Sequence, residues 1–477
     1  MRTPGASWRR MHPGFSVAVL MLVLGVSGCG NSPTTRPVAH ATATSTSSLF
    51  VTPTISGSPA VTQTVSVQPS PTGDPSLCHP ADTAAPLPTT LASAYAGTID
   101  GDVIAVNASN GTLRWRYSTG ISALPAFTVT STLLYVTTGV NAPSGSGLVV
   151  ALGTADGAVH WRAQYPGGPD NSGQPMLFAD NGTVYVIPAD HSIYALNGAS
   201  GAQIWHVQVT GGFNHLTVVN GTVYATSAGS TGLYALRATD GAQLWTSPVP
   251  AFLSTVANGL IYGSDQNGTD LVALDISTRA VRWRFQTGSP FAPSGIESVS
   301  LAGSGAYVNA GHFMYALNAS TGALCWQSTA CGQIATSGPV LAGGALYATC
   351  FLGDPGPGSA GPGCGVFALD ANTGISRWTL WVTGFPQINT GSLVNGTLYA
   401  GGLLQVAAVN ASSGTIRWSF PATPQPRLAF SQASVVGSTV FAGGPDGRVY
   451  ALNIATGAPI WSTSVSGTQV ATLTMGP

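Results

Sequence analysis

The chain of 477 residues has no lysine, and Glu297 is its only glutamate. Charged residues make up 6% of it, against about 25% in ordinary soluble domains. Beyond residue 36 its arginines form no cluster, so the basic stripe that nucleic acid requires is missing and that partner is excluded. After the N-terminal leader no stretch approaches the roughly 20 apolar residues that cross a bilayer as a helix. No segment shows a 3.6-residue apolar period, which argues against helical repeats. The six cysteines include no adjacent pair and no CxxCH haem-attachment motif. A G-x-S-x-G elbow and a Walker-type phosphate loop are also lacking. Histidines 160, 191, 206, 215 and 312 show no metal-ligand spacing, so no metal site is expected.

What is present is one phrase repeated. Tyr315 to Gly332 reads YALNASTGALCWQSTACG, and close variants end at Gly120, Gly167, Gly211 and beyond. The tryptophan of each copy is Trp115, Trp161, Trp205, Trp245, Trp283, Trp326, Trp378, Trp418 or Trp461, nine copies spaced 38 to 52 residues apart. That period marks a solenoid, propeller or array. The copy ending in Trp205 divides into four strands, QPMLFAD, GTVYVIP, SIYALNG and AQIWHVQV, with an Asn181-Gly182 turn after the first. Asn-Gly between alternating β-branched and aromatic residues is a strong hairpin signal, and it recurs at Asn220-Gly221 and Asn395-Gly396. Between the third and fourth strands an Asx (Asn318, Asp370, Asn410, Asn453) precedes by four residues a glycine suited to positive φ (Gly322, Gly374, Gly414, Gly457). Arg279 replaces that glycine in one copy, so its hairpin is expected to be strained or differently turned.

Four strands per unit and one Trp at fixed phase predict an all-β fold, a single β-propeller of four-stranded blades. The Trp is assigned to inter-blade packing, each ring burying roughly 150–250 Å². The first unit lacks its innermost strand, and the tail TQVATLTMGP has that strand's character. Pairing of the N- and C-terminal strands would then close the ring and hide both edges. Eight or nine blades are consistent with the count.

Residues 1–28 have a positive start (Arg2, Arg9, Arg10) and a short apolar run ending VSGC. This resembles the bacterial lipobox, with Val26 where leucine is usual, and implies lipidation at Cys29. Residues 29–90, rich in Ser, Thr and Pro, read as a disordered stalk, and 91–477 as the propeller. Cys350 and Cys364 flank the longest insertion, and Cys325 and Cys331 bracket the turn after one Trp strand. Each pair is a disulfide candidate in an exported protein, crossed pairing among the four being the alternative, with Cys78 left over. Glu297 is placed on an innermost strand as a channel-lining candidate, with Asn389 and Gln432 at comparable phase. Arg114, Arg116, Arg282 and Arg284 are placed on the outer rim.

The phrase A-L-[ND]-x-x-[TS]-G-x-x-x-W resembles the tryptophan-docking repeat of the pyrroloquinoline-quinone (PQQ)-like propellers, over about 90 to 477. That family includes quinone-dependent dehydrogenases and BamB-like lipoproteins that bind other proteins. The resemblance therefore implies a membrane-anchored scaffold or protein-binding module of the bacterial envelope, with other envelope or surface proteins as partners and its lipid in the membrane. Such a protein would be exported, facing the periplasm or the cell exterior, with no catalytic residues and no cofactor. The alternatives are a PQQ- and calcium-dependent oxidoreductase, or a carbohydrate-binding surface propeller. A quinone enzyme would need acidic ligands and basic contacts. One glutamate, no lysine and aspartates mostly at turns (Asp100, Asp156, Asp240, Asp446) supply little of either.

Overall fold

The computed structural model describes residues 73–80 and 92–476, apart from stretches at 121–124, 139–145, 167–175, 189, 210, 228–231, 251, 288–295, 311–312, 330–338, 352–363, 383–388, 402–404 and 422–429. Nine antiparallel four-stranded sheets form a nine-bladed propeller. Blade 1 combines 93–118 with 470–476. Blades 2 to 9 follow in order at 126–166, 176–207, 213–247, 252–286, 296–328, 340–382, 389–421 and 434–464. Within blades 2 to 9 the chain runs from the innermost strand to the outermost, and in blade 1 the segment 93–118 supplies the second to fourth strands. Turns between the first and second strands and between the third and fourth therefore share one face, called here the short-turn face.

The short turns have the predicted chemistry. Asn181, Asn220 and Asn395 take φ of 45°, 50° and 45°, each followed by a glycine at positive φ, as type I′ hairpins require. In the Asx turns the Asn318 carboxamide accepts from the N–H groups of Ser320 (3.1 Å) and Thr321 (3.0 Å), and Gly322 N–H returns to the Asn318 carbonyl at 2.8 Å. Arg279 makes the same turn as the glycines, its N–H on the Asp275 carbonyl at 2.8 Å, and holds φ of 60° to do so. Of the two outcomes expected for that hairpin, the backbone is strained and not rebuilt. Left-handed backbone costs a residue with a Cβ about 1–2 kcal/mol. Arg279→Gly is therefore expected to raise stability by about 1 kcal/mol, less any unfolded-state entropy, as read by chemical denaturation.

Eight of the nine blades are joined to the next through the carbonyl that follows the Asx position. Trp115 Nε1 donates to Thr154, Trp161 to Gly198, Trp205 to Ala238 and Trp283 to Ala319, at 2.8–3.1 Å. Trp326 and Trp378 donate to Ala371 and Ala411, and Trp418 to Ile454. Trp461 returns to Ala108 of blade 1 at 3.3 Å, completing the circle. Trp245 packs with Tyr224, Leu253 and Ile276 at the same kind of junction. A second donor, which the sequence reading missed, comes from the second strand. The hydroxyls of Tyr95, Tyr135, Tyr262, Tyr307, Tyr347 and Tyr399 reach the same carbonyls as their Trp neighbours. A carbonyl has two lone pairs, so one oxygen satisfies both buried donors. The recurrent tyrosine after Gly-Thr-Val or its variants was the available signal.

The ring closes as expected. Val470–Gly476 is the innermost strand of blade 1 and pairs antiparallel with Ser93–Thr98, Tyr95 opposite Thr474. This is the one blade whose strands come from both ends of the chain.

Two expectations are corrected. Cys325 is bonded to Cys78, with Cα atoms 6.0 Å apart, and not to Cys331. The cause is a β-bulge: Ala316 faces Trp326 and Leu317 faces Leu324, so Cys325 is the extra residue of the outer strand. It is reached by a segment from outside the blade. That segment, Gly73–Pro80, lies within what was expected to be stalk. It forms a short 3-10 turn, Pro75–Leu77, capped by the Asp74 carboxylate. Cys331 and Cys29 lie outside the described residues, as do the side chains of Cys350 and Cys364. The backbone register puts Cys350 across from Gly365 and Phe351 across from Cys364.

Candidate functional site: the bulged end of the channel wall

The nine innermost strands wall the central channel, and each presents one unpaired backbone edge to it. Among the described residues five carry a bulge, all at the end opposite the short turns. The extra residue is Ala471 in blade 1, Asn214 in blade 4, Ser254 in blade 5 and Glu297 in blade 6. In blade 8 the register breaks between Thr390 and Leu393. A bulge ends regular pairing and re-aims a residue, and bulges concentrate near functional sites. Glu297, the channel-lining candidate, is thus the extra residue of the innermost strand of blade 6, and its side chain falls outside the described residues. Asn389 opens the innermost strand of blade 8. Gln432 is exposed in the irregular lead-in to that of blade 9. Structure therefore puts Glu297 and Asn389 at one end of the wall and Gln432 just before it.

The described side chains of the bulged strands are apolar or neutral polar groups, and carboxylates (Asp100, Asp190, Asp265 and Asp446) stand at the same end in the turns between second and third strands. Ser254 Oγ accepts from the Val299 N–H at 3.0 Å, tying the bulge of blade 5 to the innermost strand of blade 6. His215 follows the bulge of blade 4, and its Nδ1 is sealed from water without a hydrogen-bond partner. Burial penalises the imidazolium and lowers the His215 pKa from 6.5 to about 4, so the ring is neutral at pH 7. The sign of the pH effect follows. Between pH 6.5 and 4 the unfolded chain binds a proton that the folded chain refuses, so stability falls as pH falls through that window. The full loss from this group is about 3 kcal/mol. His215→Gln is expected to flatten that part of the stability-against-pH curve, measured by denaturation at a series of pH values. An unchanged slope would refute the assignment.

The innermost strands do not fit a calcium–quinone centre. They contain no arginine, and their only acids are Asp180 and Glu297. Asp180 adjoins a short turn, and the Glu297 backbone lies at a bulge at the other end of its strand. Among the described residues no group of three His, Cys, Asp or Glu could hold a metal ion. The turn aspartates serve the backbone: Asp156 accepts from Ala158 N–H, Asp240 from Ala242 N–H, and Asp446 from Arg448 N–H. Arg282 and Arg284 are on the outer strand, paired with Asp275 at 3.3 Å and Asp270 at 3.1 Å, and Arg116 faces Asp102 at 3.6 Å. Arg114 donates to Ser93 Oγ at 2.5 Å.

A family model described as "Outer membrane protein assembly factor BamB" matches residues 99–218, 192–353 and 314–474. Among solved structures, BamB from Moraxella catarrhalis is 18% identical, with 74% of this chain and 96% of that one covered, at a TM-score of 0.47. AztD from Citrobacter koseri is 9% identical, with coverage of 81% and 98% and a TM-score of 0.47. A europium-containing methanol dehydrogenase is 15% identical, with coverage of 75% and 81% and a TM-score of 0.41. No curated protein matches.

Proposed function

Since the chain belongs to the family described as outer membrane protein assembly factor BamB, we propose that it is a non-catalytic, protein-binding propeller of the bacterial envelope. In this reading it is exported, tethered by lipid on Cys29, and recognises other envelope proteins through the end of the ring where the innermost strands are bulged. The observation that carries it is the chemistry of that end. Bulges free backbone groups there, and the described side chains of the bulged strands themselves are neutral hydrogen-bonding or apolar groups. Such a surface suits polypeptide, whose backbone is itself a row of neutral donors and acceptors. Family membership favours a periplasmic, membrane-associated setting, and among the described residues no helix is long and apolar enough to cross a membrane.

The test is crosslinking in intact envelopes from a photoreactive residue at Ser254, compared with one at exposed Ser200 on the short-turn face. Protein adducts specific to Ser254 are expected, and equal labelling from both sites would reject this end as the binding surface. Labelled fatty acid should enter the wild type and not Cys29→Ala. Quinone absorbance retained through gel filtration after loading with PQQ and calcium would favour the oxidoreductase reading.

A further inference from the structure

Gly73–Pro80 is fixed to blade 6 at three places. Asp74 N–H donates to the Leu324 carbonyl on the outer strand at 3.1 Å. The Asn318 carboxamide, in the Asx turn, donates to the Leu77 carbonyl at 2.6 Å. His79 and Ser304, in the first short turn, exchange two bonds: His79 N–H to Ser304 Oγ at 2.8 Å, and Ser304 N–H to the His79 carbonyl at 3.1 Å. A Cβ on Gly73 would lie 2.5 Å from the Cys325 carbonyl oxygen, and its φ is +133°, so only glycine fits that approach. Cys78 and Cys325 are 1% and 0% exposed and share one apolar cluster with Trp326. Trp326 is fully buried, whereas Trp115, Trp161, Trp205 and Trp283 keep 6–8% of their surface exposed.

The place of attachment matters. The propeller proper begins at Ser93 in blade 1, and blade 6 is separated from blade 1 by blades 7, 8 and 9 on one side of the ring and by blades 2 to 5 on the other. Blade 1 also holds the seam, where Ser93–Thr98 and Val470–Gly476 meet without a covalent link between the two chain ends. Tension arriving directly at Ala92 would act on the end of Ser93–Thr98 and strip its pairs one at a time. With Cys78 bonded to Cys325, the covalent path passes into blade 6 before it reaches residue 92.

We propose that the Gly73–Pro80 clasp is the load-bearing attachment of the ring, delivering chain tension from the N-terminal side to blade 6 and sparing the seam in blade 1. The biological use of such a device rests on the tethered reading above, but its mechanics do not. Opening it requires an external dithiol. One thiolate attacks a sulfur of the bridge, the second closes the dithiol to its own disulfide, and two protons restore the Cys78 and Cys325 thiols. Because both sulfurs are buried, that exchange must await undocking of the segment.

Optical-tweezers pulling on the full oxidised chain tests this, with one handle at the N-terminus and the other on a click-reactive residue replacing exposed Ala202 in blade 3. Cys78→Ser, Cys325→Ser and the dithiol-reduced wild type are compared with it, each first shown to be folded by circular dichroism. Freeing the clasp is expected to add up to ~50 Å of slack, from the residues between Cys78 and Ala92. It should also lower the force of the first rupture. Equal slack and equal rupture force in all forms would overturn the proposal. So would non-reducing peptide mapping without a Cys78–Cys325 crosslink. Failure of Cys29 to take up lipid would remove the membrane tether and leave the mechanical result standing.

Discussion

Trp326→Ala will destabilise the protein by about 3–5 kcal/mol, the usual cost of emptying a fully enclosed aromatic site. Trp326 is entirely buried, donates to the Ala371 carbonyl at 3.0 Å, and lies between the clasp on one side and blade 7 on the other. The same contact can be approached from its partner. A Cβ on Gly374, which has φ of +71°, would sit 2.5 Å from the Trp326 ring. Gly374→Ala should therefore cost the left-handed backbone term, about 1–2 kcal/mol, plus overpacking of about 1–3 kcal/mol. Gly182, at φ of +76° with nothing within 4 Å of its would-be Cβ, isolates the first term. In the Trp326→Ala background Gly374→Ala should cost no more than Gly182→Ala. Full additivity in this double-mutant cycle, read by chemical denaturation, would show that the two residues are not coupled.

The second large effect is expected from ending the chain at Gly467. This removes Val470–Gly476 and the six cross-strand positions it shares with blade 1. It also strips Val470, Leu473 and Met475 from the cluster that includes Ala94, Ile104 and Val449. Hydrogen bonds contribute roughly 0.5–1.5 kcal/mol each, and each buried Val, Leu or Met roughly 1.5–3 kcal/mol. Together these losses are comparable with the whole 5–15 kcal/mol by which a domain is stable. The exposed edge of Ser93–Thr98 would in addition recruit strands from other copies. Size-exclusion chromatography should show aggregate or oligomer in place of monomer. A monodisperse truncated chain melting at the wild-type temperature would mean that the seam carries little.

Legibility in the sequence followed the range of the interaction. The Asx–Gly turns and Asn-Gly hairpins were readable because every group they need lies within a few residues. Strand order and closure then followed from the spacing of nine tryptophans and from the missing first strand. Cys78 was unreadable for the opposite reason: 247 residues separate it from Cys325, and no local pattern selects one partner among distant thiols. The end of the stalk was misjudged with it, since Gly73–Pro80 has the composition of a linker and is held by contacts with blade 6. Glu297 could be assigned to an innermost strand by its phase. That its strand is bulged there depends on the opposite strand, which the local sequence does not encode. The Tyr hydroxyls were hidden because a tyrosine on a strand reads as ordinary core until its acceptor is known.

The outer-strand bulge that delivers Cys325 to the clasp is present in all nine blades, always at the residue before the tryptophan. Those residues are Arg114, His160, Ile204, Leu244, Arg282, Cys325, Arg377, Arg417 and Ile460, and all but Cys325 are exposed. The frame thus tolerates cations, an imidazole, aliphatics and a thiol at one geometrically equivalent point. Each blade carries at its perimeter one position of fixed backbone geometry and variable chemistry, and at one of the nine a single thiol joins the ring to a segment from outside the blades.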